Sequence, residues 1–465
     1  MPSRVEGELG SSILRLDALK NRLTQSLFFV PFLMLSVSLA LSQLTVQIDR
    51  QLAADALPGW FQVTVDSSRS ILSAIAGGTI TAASIVFSLT LVAVQLAASQ
   101  FSPRVLRDFL GDRFQQLVMG TVIGTFSYSL LVLREVRSAP EGVERAFLPQ
   151  VSVALAVVLA VVSLVAILGS IDHTAKGLRV GSVADGIVAA TMRVIEQLPE
   201  RGSDDTVVPL VDAPGVSSAR PTPESGPADH SPPGDALVVW APRTGWVTGI
   251  QVERLMGVIP DGVTVSLSAA VGTYVVRGTP IAFIWPRKIE AVDEIVDALP
   301  DVMRIEEERT MQQDISFGIL QLNDIAMRAL SPGVNDPNTA NEIVVRLGAV
   351  ITELYRRDLP PIETAAGRRR ILRPSDPGRG DYVEQAFEPV RRYARQDPRV
   401  LEVIVGVLES IIEDCHRRQG DEADVRPLIR QLELMSDELG ELATSEDRRR
   451  VGAALARVFA EVTKV

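Results

Sequence analysis

The chain has 465 residues, enough for two or three domains, and joins a mean hydropathy of +0.21 to 22% charged residues, so an apolar part accompanies an ordinary soluble one. Its net charge of -11 argues against nucleic acid as a partner, because a phosphate binder presents a basic surface. One cysteine (Cys415) and three histidines (His173, His230, His416) exclude an internal disulfide framework and a Cys/His zinc site.

After an N-terminal tail (1–26), four uncharged runs follow within 27–171: Leu27–Ile48, Ile71–Ala98, Phe114–Leu133 and Phe147–Ile171. Each is long enough to cross a hydrocarbon core, which needs about 20 residues. The "LSVSLALSQ" segment resembles a secretory cleavage region, but the run's length and the three runs behind it favour an uncleaved anchor. Ten Lys and Arg flank one side of these spans, among them Arg4, Lys20, Arg104, Arg107, Arg113 and Lys176, against five on the other. The excess predicts both termini in the cytoplasm. Trp60 and Phe61 suit an interfacial anchor in the first outside loop.

The second span carries "GGTITAASIVFSLTLVAVQLAASQ". Gly77, Thr81, Ser84, Ser88, Gln95 and Ser99 recur at helical spacing and form one polar stripe. Two readings stand side by side. Small and hydroxyl residues let helices pack and hydrogen-bond in lipid. The same stripe, repeated around an axis of identical subunits, would line a water-filled path for small inorganic ions, with Gly77, Thr81, Ser84, Ser88 and Gln95 as the pore-lining set. At about 28 residues, roughly 42 Å, this span also outreaches the bilayer. In the third span, Gly120 and Gly124 continued by Ser127 read as plain packing. No charged residue lies inside a run, which disfavours a proton relay. Arg104, Arg107 and Arg113, against Asp108 and Asp112, tilt the inner mouth slightly towards anions.

A connecting segment (172–198) with a helix around 183–197 leads to an acidic stretch at 199–235, rich in Pro, Ser and Asp, which reads as a disordered linker containing His230. Residues 236–286 alternate β-rich runs with Gly and Pro and predict a small β-barrel-like module. "GWVTGI … VGTYVVRGTPIAFI" resembles the barrel-sandwich hybrid of lipoyl and biotinyl domains; "VSLSAAVG" lacks their hairpin lysine, so no swinging arm is expected. Residues 287–465 read as a helical domain, beginning with a helix over 305–329. "ALSPGVNDPNTA" then breaks the pattern: Pro332 and Gly333 stop one helix, and Asp336 caps the next with Pro337 in its first position. Asp324, Arg328, Asn335, Asp336 and Thr339 gather at this corner as a candidate regulatory ligand site; capping and an Asp324–Arg328 pair one turn apart are the structural alternative. The "AGRRRILRPSDPGRG" segment reads as a basic loop suited to solvent or anionic headgroups, and helices resume over 381–395, 398–418, 424–441 and 445–463. Cys415 and His416 point different ways on a helix and do not make a catalytic pair. His173 reads as a helix-end or headgroup residue, with pH sensing as the alternative.

"FGILQLNDIAMRALSPGVNDPNTA", "VFSLTLVAVQLAASQFSPRVL" and "IDHTA" resemble a large family of predicted bacterial membrane proteins catalogued as domain of unknown function 2254. That resemblance implies four N-terminal spans and a cytoplasmic C-terminal region, and implies no activity. The expected fold class is therefore an integral membrane α-helical protein with a cytoplasmic α+β region. No nucleophile–base pair, phosphate loop or metal cluster is legible, so an enzyme is not expected and no cofactor is called for. Two functions remain: a homo-oligomeric ion channel lined by the second span, or a membrane-anchored sensor or scaffold that binds a cytoplasmic ligand or protein.

Overall fold

The computed structural model describes residues 29–51, 64–100 (side chains to 96), 112–136, 149–177, 179–201, 231–287, 292–418 and 421–462. The expectations for the 1–26 tail, Trp60 and Phe61, Ser99, Arg104 and Arg107, and the linker over 202–230 with His230 lie outside these residues. Two compact units divide the chain, residues 1–179 and 180–465.

The first unit contains four helices long and apolar enough to cross a membrane: α1 (Phe29–Gln51), α2 (Val65–Gln100), α3 (Arg113–Glu135) and α4 (Gln150–Gly177). The third is the hub. In its most apolar window 56% of residues are buried, against 28%, 17% and 22% in α1, α2 and α4, and it packs on all three neighbours. Glycine explains the closeness. A Cβ at Gly120 would lie 2.8 Å from Met34 Cγ, and one at Gly124 would lie 2.6 Å from Ser38 Oγ, so only hydrogen lets α3 and α1 approach this far. The packing expected of Gly120 and Gly124 is what they do.

Helix α1 runs three residues past its expected end and so includes a carboxylate, Asp49, which is buried. Helix α4 opens after Pro149, which has no side-chain acceptor for the free N–H groups of the first turn. Asp49 accepts from the backbone N–H of Val151 (2.8 Å) and Ser152 (3.0 Å) and from the Ser152 hydroxyl (2.6 Å). A residue 102 positions away thus caps α4, with its negative charge at the positive end of the helix. Beside it, fully buried Tyr128 donates to the Ser152 carbonyl (3.1 Å) and bonds Thr45 (2.9 Å). Further along, Thr125 meets Ser163 (2.8 Å), and Gln115 joins Thr90 (2.5 Å) to Ser170 (3.0 Å). Buried polar groups without water must find each other, and these do so across four helix pairs, α1–α3, α1–α4, α2–α3 and α3–α4.

The second unit begins with α5 (Val180–Ile195), β1 (Leu237–Trp240), β2 (Gly245–Ile250), α6 (Val252–Val258), β3 (Thr264–Leu267), β4 (Tyr274–Val275) and β5 (Pro280–Trp285). There follow α7 (Val292–Val302), β6 (Met303–Glu306), α8 (Ile315–Ala329), α9 (Pro337–Tyr355), β7 (Glu363–Ala366) and β8 (Arg369–Leu372). The chain closes with α10 (Arg379–Ala394), α11 (Pro398–Arg417), α12 (Glu422–Asp437), a 3₁₀ turn (Glu438–Glu441) and α13 (Ser445–Val462).

The strands do not close into the expected barrel. They form an open five-stranded sheet, β1-β5-β3-β8-β7, and a three-stranded one, β4-β2-β6. Both sheets, with α6 and α7, share one core built on Val247, Leu255, Val265, Ile284, Ile295, Leu299 and Ile371. Three of the eight strands come from outside 236–286, which is why that segment alone could not form a closed barrel. Ile305 lies in β6, and the following helix begins only at Ile315, capped by Asp314 through Phe317 N–H (2.9 Å). The expected basic loop is largely a hairpin: β7 and β8 turn at Gly367 (φ 64°), and β8 adds to β3 in parallel, Val265 opposite Ile371.

The helices pack around α9, whose face of Ile343, Val344, Leu347, Val350, Ile351 and Leu354 is buried by α5, α8, α10 and α11. Residues 199–201, expected in the linker, are pinned: Asp358 N–H donates to the Pro199 carbonyl (2.9 Å), and Arg201 pairs with buried Asp424 (2.6 Å).

Candidate functional site

Helix α2 places the expected pore residues on one side. Its buried positions are Ser68, Leu72, Ala76, Thr79, Val86 and Ala93, which meet α3 and α4. At about 100° per residue, Gly77, Thr81, Ser84, Ser88 and Gln95 fall within a narrow arc on the opposite side. All five are exposed, and nothing lies within 4 Å of the space a Cβ at Gly77 would take. They are not packed against the first, third or fourth span. Large apolar side chains border the file: Ile85, Phe87, Leu91 and Val92 are each about half exposed.

The hydroxyls are satisfied locally. Thr81 donates to the Gly77 carbonyl (2.8 Å), Ser84 to Ile80 (3.0 Å) and Ser88 to Ser84 (2.9 Å). With each hydrogen turned into the helix, the outward oxygen presents only lone pairs. The file is therefore an acceptor surface over Thr81–Ser88; Gln95, about two turns further on, adds an amide that both donates and accepts.

The corner between α8 and α9 is a cap. Asp336 accepts from Thr339 N–H (3.1 Å) and from the Thr339 hydroxyl (2.6 Å), and these bonds hold its carboxyl below the usual carboxylate range. Asn335 adopts φ 49°, a left-handed conformation that asparagine tolerates, and Asp336 N–H donates back to the Ala329 carbonyl (2.8 Å). Asn335, Asp336 and Thr339 thus meet as expected. Asp324 and Arg328 stand one turn apart on α8, half-buried and exposed respectively.

Several other titratable groups are engaged. His173 Nε2 meets Asp112 (2.6 Å), which also caps α3 through Phe114 N–H (2.9 Å). Cys415 is buried, and burial first, then the Asp424 and Asp414 carboxylates, push its thiol up to about 11. Among the described residues, Glu409, Glu413 and Glu461 bring oxygens within 4.8 Å of one another beside His416, the spacing of a cation site. Glu409 already takes Arg457 in a two-pronged ion pair (3.1 and 2.9 Å), so one of the three carboxylates is engaged from within the fold.

The polar residues that sequence reasoning missed are Asp49, Tyr128 and Gln115. Asp49 sits one residue beyond an apolar run; the legible signal was an α4 start at Pro149 with no local cap.

The model of a family described as "Predicted membrane protein (DUF2254)" matches residues 24–410. The chain is 32% identical over 407 residues to uncharacterized protein Rv1290c of Mycobacterium tuberculosis, covering 85% of this chain and 73% of that one. It is equally similar, with the same coverage, to uncharacterized protein Mb1321c of Mycobacterium bovis. No solved structure matches.

Proposed function

We infer a function from two premises: the chain belongs to the DUF2254 family of predicted membrane proteins, and its second apolar helix turns a polar file away from its own bundle. On this reading the protein is a homo-oligomeric pore for small ions in the bacterial inner membrane. Copies of α2 meet around an axis, with Gly77, Thr81, Ser84, Ser88 and Gln95 facing the path and the 180–465 unit in the cytoplasm assembling or gating it. No catalysis is assigned to the chain.

The outward direction of the file carries the reading. A polar stripe used for packing within the subunit would be buried against α1, α3 or α4, and the buried face of α2 is the opposite one. An acceptor surface of hydroxyl oxygens replaces part of a cation's hydration shell. This outweighs the slight anion tilt of the arginines near the inner mouth and points to cations. The Asp336 corner is the candidate place for a regulatory ligand.

The experiment is current across a planar bilayer containing the purified protein, wild type beside Ser88→Leu. Discrete cation currents that the substitution abolishes or reshapes support the pore. Silence at all voltages, pH values and divalent-ion levels overturns it and favours the sensor or scaffold.

A further inference from the structure

The polar file of α2 does not stop at Gly77. Towards the start of the helix Asp66, Ser70 and Ser73 are exposed, while Ser68, Leu72 and Ala76 are buried. At about 100° per residue, Asp66 and Ser70 lie about 20° to either side of Gly77, and Ser73 about 40° away. Burial and spacing therefore agree that the first three turns of α2 point polar side chains the same way as Thr81, Ser84 and Ser88. Among the described residues Asp66 is the only charged side chain on this file, and it stands at its end, roughly 16 Å from Gly77 along the axis. Thr64, Ser67, Arg69 and Ser70 surround it, so this end of the helix belongs among headgroups and water.

A carboxylate in a first helical turn also meets the positive end of the helix dipole, but any exposed side of the turn would serve that purpose. The cap itself is supplied by Thr64, whose hydroxyl oxygen accepts from Ser67 N–H (3.2 Å). The neighbouring cations are turned elsewhere. Arg69 lies about 80° from Gly77 and donates to the Val136 carbonyl at the end of α3 (3.2 Å). Arg50 pairs with Glu135 (2.9 Å), and Arg134 belongs to α3. Among the described residues Asp66 makes no ion pair.

We propose that Asp66 is the charge filter of the pore: around the axis on which copies of α2 meet, its carboxylates form a negative ring at one mouth and admit cations over anions. The ring presupposes the pore reading given above and adds what the file lacks. Hydroxyl oxygens act on an ion only at contact, whereas full charges act over a Debye length, about 10 Å at 0.1 M salt. A mouth lined by one sign of charge concentrates the opposite ion, and carboxylate rings select cations in this way.

The test is the reversal potential of the full chain in a planar bilayer under a potassium chloride gradient, which reads the permeability ratio of potassium to chloride. Asp66→Asn should lower that ratio roughly tenfold at about 0.1 M salt and far less at about 1 M, where the Debye length shrinks to about 3 Å. Asp66→Glu should keep it. In a Cys415→Ala chain, Asp66→Cys should regain the wild-type ratio when a thiosulfonate reagent adds a sulfonate there, and should not when the reagent adds a quaternary ammonium group. A wild type that conducts and responds to Ser88→Leu, but whose ratio survives Asp66→Asn, overturns the ring and leaves the pore standing. A loss undiminished at high salt also overturns it, since that marks altered structure and not altered charge. A silent wild type overturns the pore and the ring together.

Discussion

Gly318 on α8 gives the sharpest test of how the 180–465 unit is packed. A Cβ there would lie 1.9 Å from Thr191 Oγ1 and 3.0 Å from Thr191 Cβ and Cγ2, so Gly318→Ala forces α5 and α8 apart or turns Thr191 away. Neither is easy, since Thr191 is fully buried and its hydroxyl donates to the Ile187 carbonyl (2.8 Å). Overpacking a core costs about 1–3 kcal/mol, and a clash this deep belongs at the upper end. Alanine returns up to about 1 kcal/mol of helix propensity, leaving a net loss of about 2 kcal/mol. Thr191→Ala alone should cost about 1–2 kcal/mol for a lost methyl and hydroxyl. The double variant removes the offending oxygen, so it should be more stable than the two single losses predict, by about 1–2 kcal/mol. Urea unfolding of the full chain, read by alkylation of buried Cys415, reports on this unit alone. Losses that add to within about 0.5 kcal/mol would refute the reasoning.

Three further outcomes follow from named contacts. Asp49→Ala removes three hydrogen bonds from the start of α4 and should cost about 2–3 kcal/mol in detergent-phase thermal unfolding, while Asp49→Asn, also a good cap, should lose clearly less. Asp336→Ala should cost about 1 kcal/mol near neutral pH. Because the Asp336 carboxyl is held low, its contribution is complete above the ordinary carboxylate range and disappears as pH falls through the lowered value; urea midpoints of wild type and variant should therefore converge in acid. With its thiol raised to about 11, Cys415 should resist maleimide at pH 8 in the folded protein and react once urea exposes it; rapid labelling of the native chain would contradict its burial.

What the sequence makes legible here is local. Four apolar runs, the Gly120/Gly124 pair and the Asp336–Pro337 helix start are each written within a few residues, and each occurs as read. The missing parts are non-local. The acceptor for the first turn of α4 stands 102 residues earlier, so the helix start looks merely uncapped. Strand β8 reads as a basic loop because Arg369 and Arg370 outweigh Ile371 and Leu372 until β3 supplies their partner. Ile305 continues the apolar period of α8 yet belongs to β6, since pairing with Val247 outcompetes helix propensity. The polar stripe of α2 was visible from spacing alone, but its direction depends on which side α3 takes.

The parallel pairing of β3 with β8 also has a consequence for synthesis. Leu267 leaves the ribosome about 105 residues before Leu372. At about 5–20 residues per second, one side of β3 waits roughly 5–20 s for its partner. A nascent chain in that interval presents an unpaired apolar edge, while four hydrophobic helices already hold it at the membrane. Tethering thins out encounters with other chains, so the order in which the two units are made shields the slower sheet during its most aggregation-prone seconds.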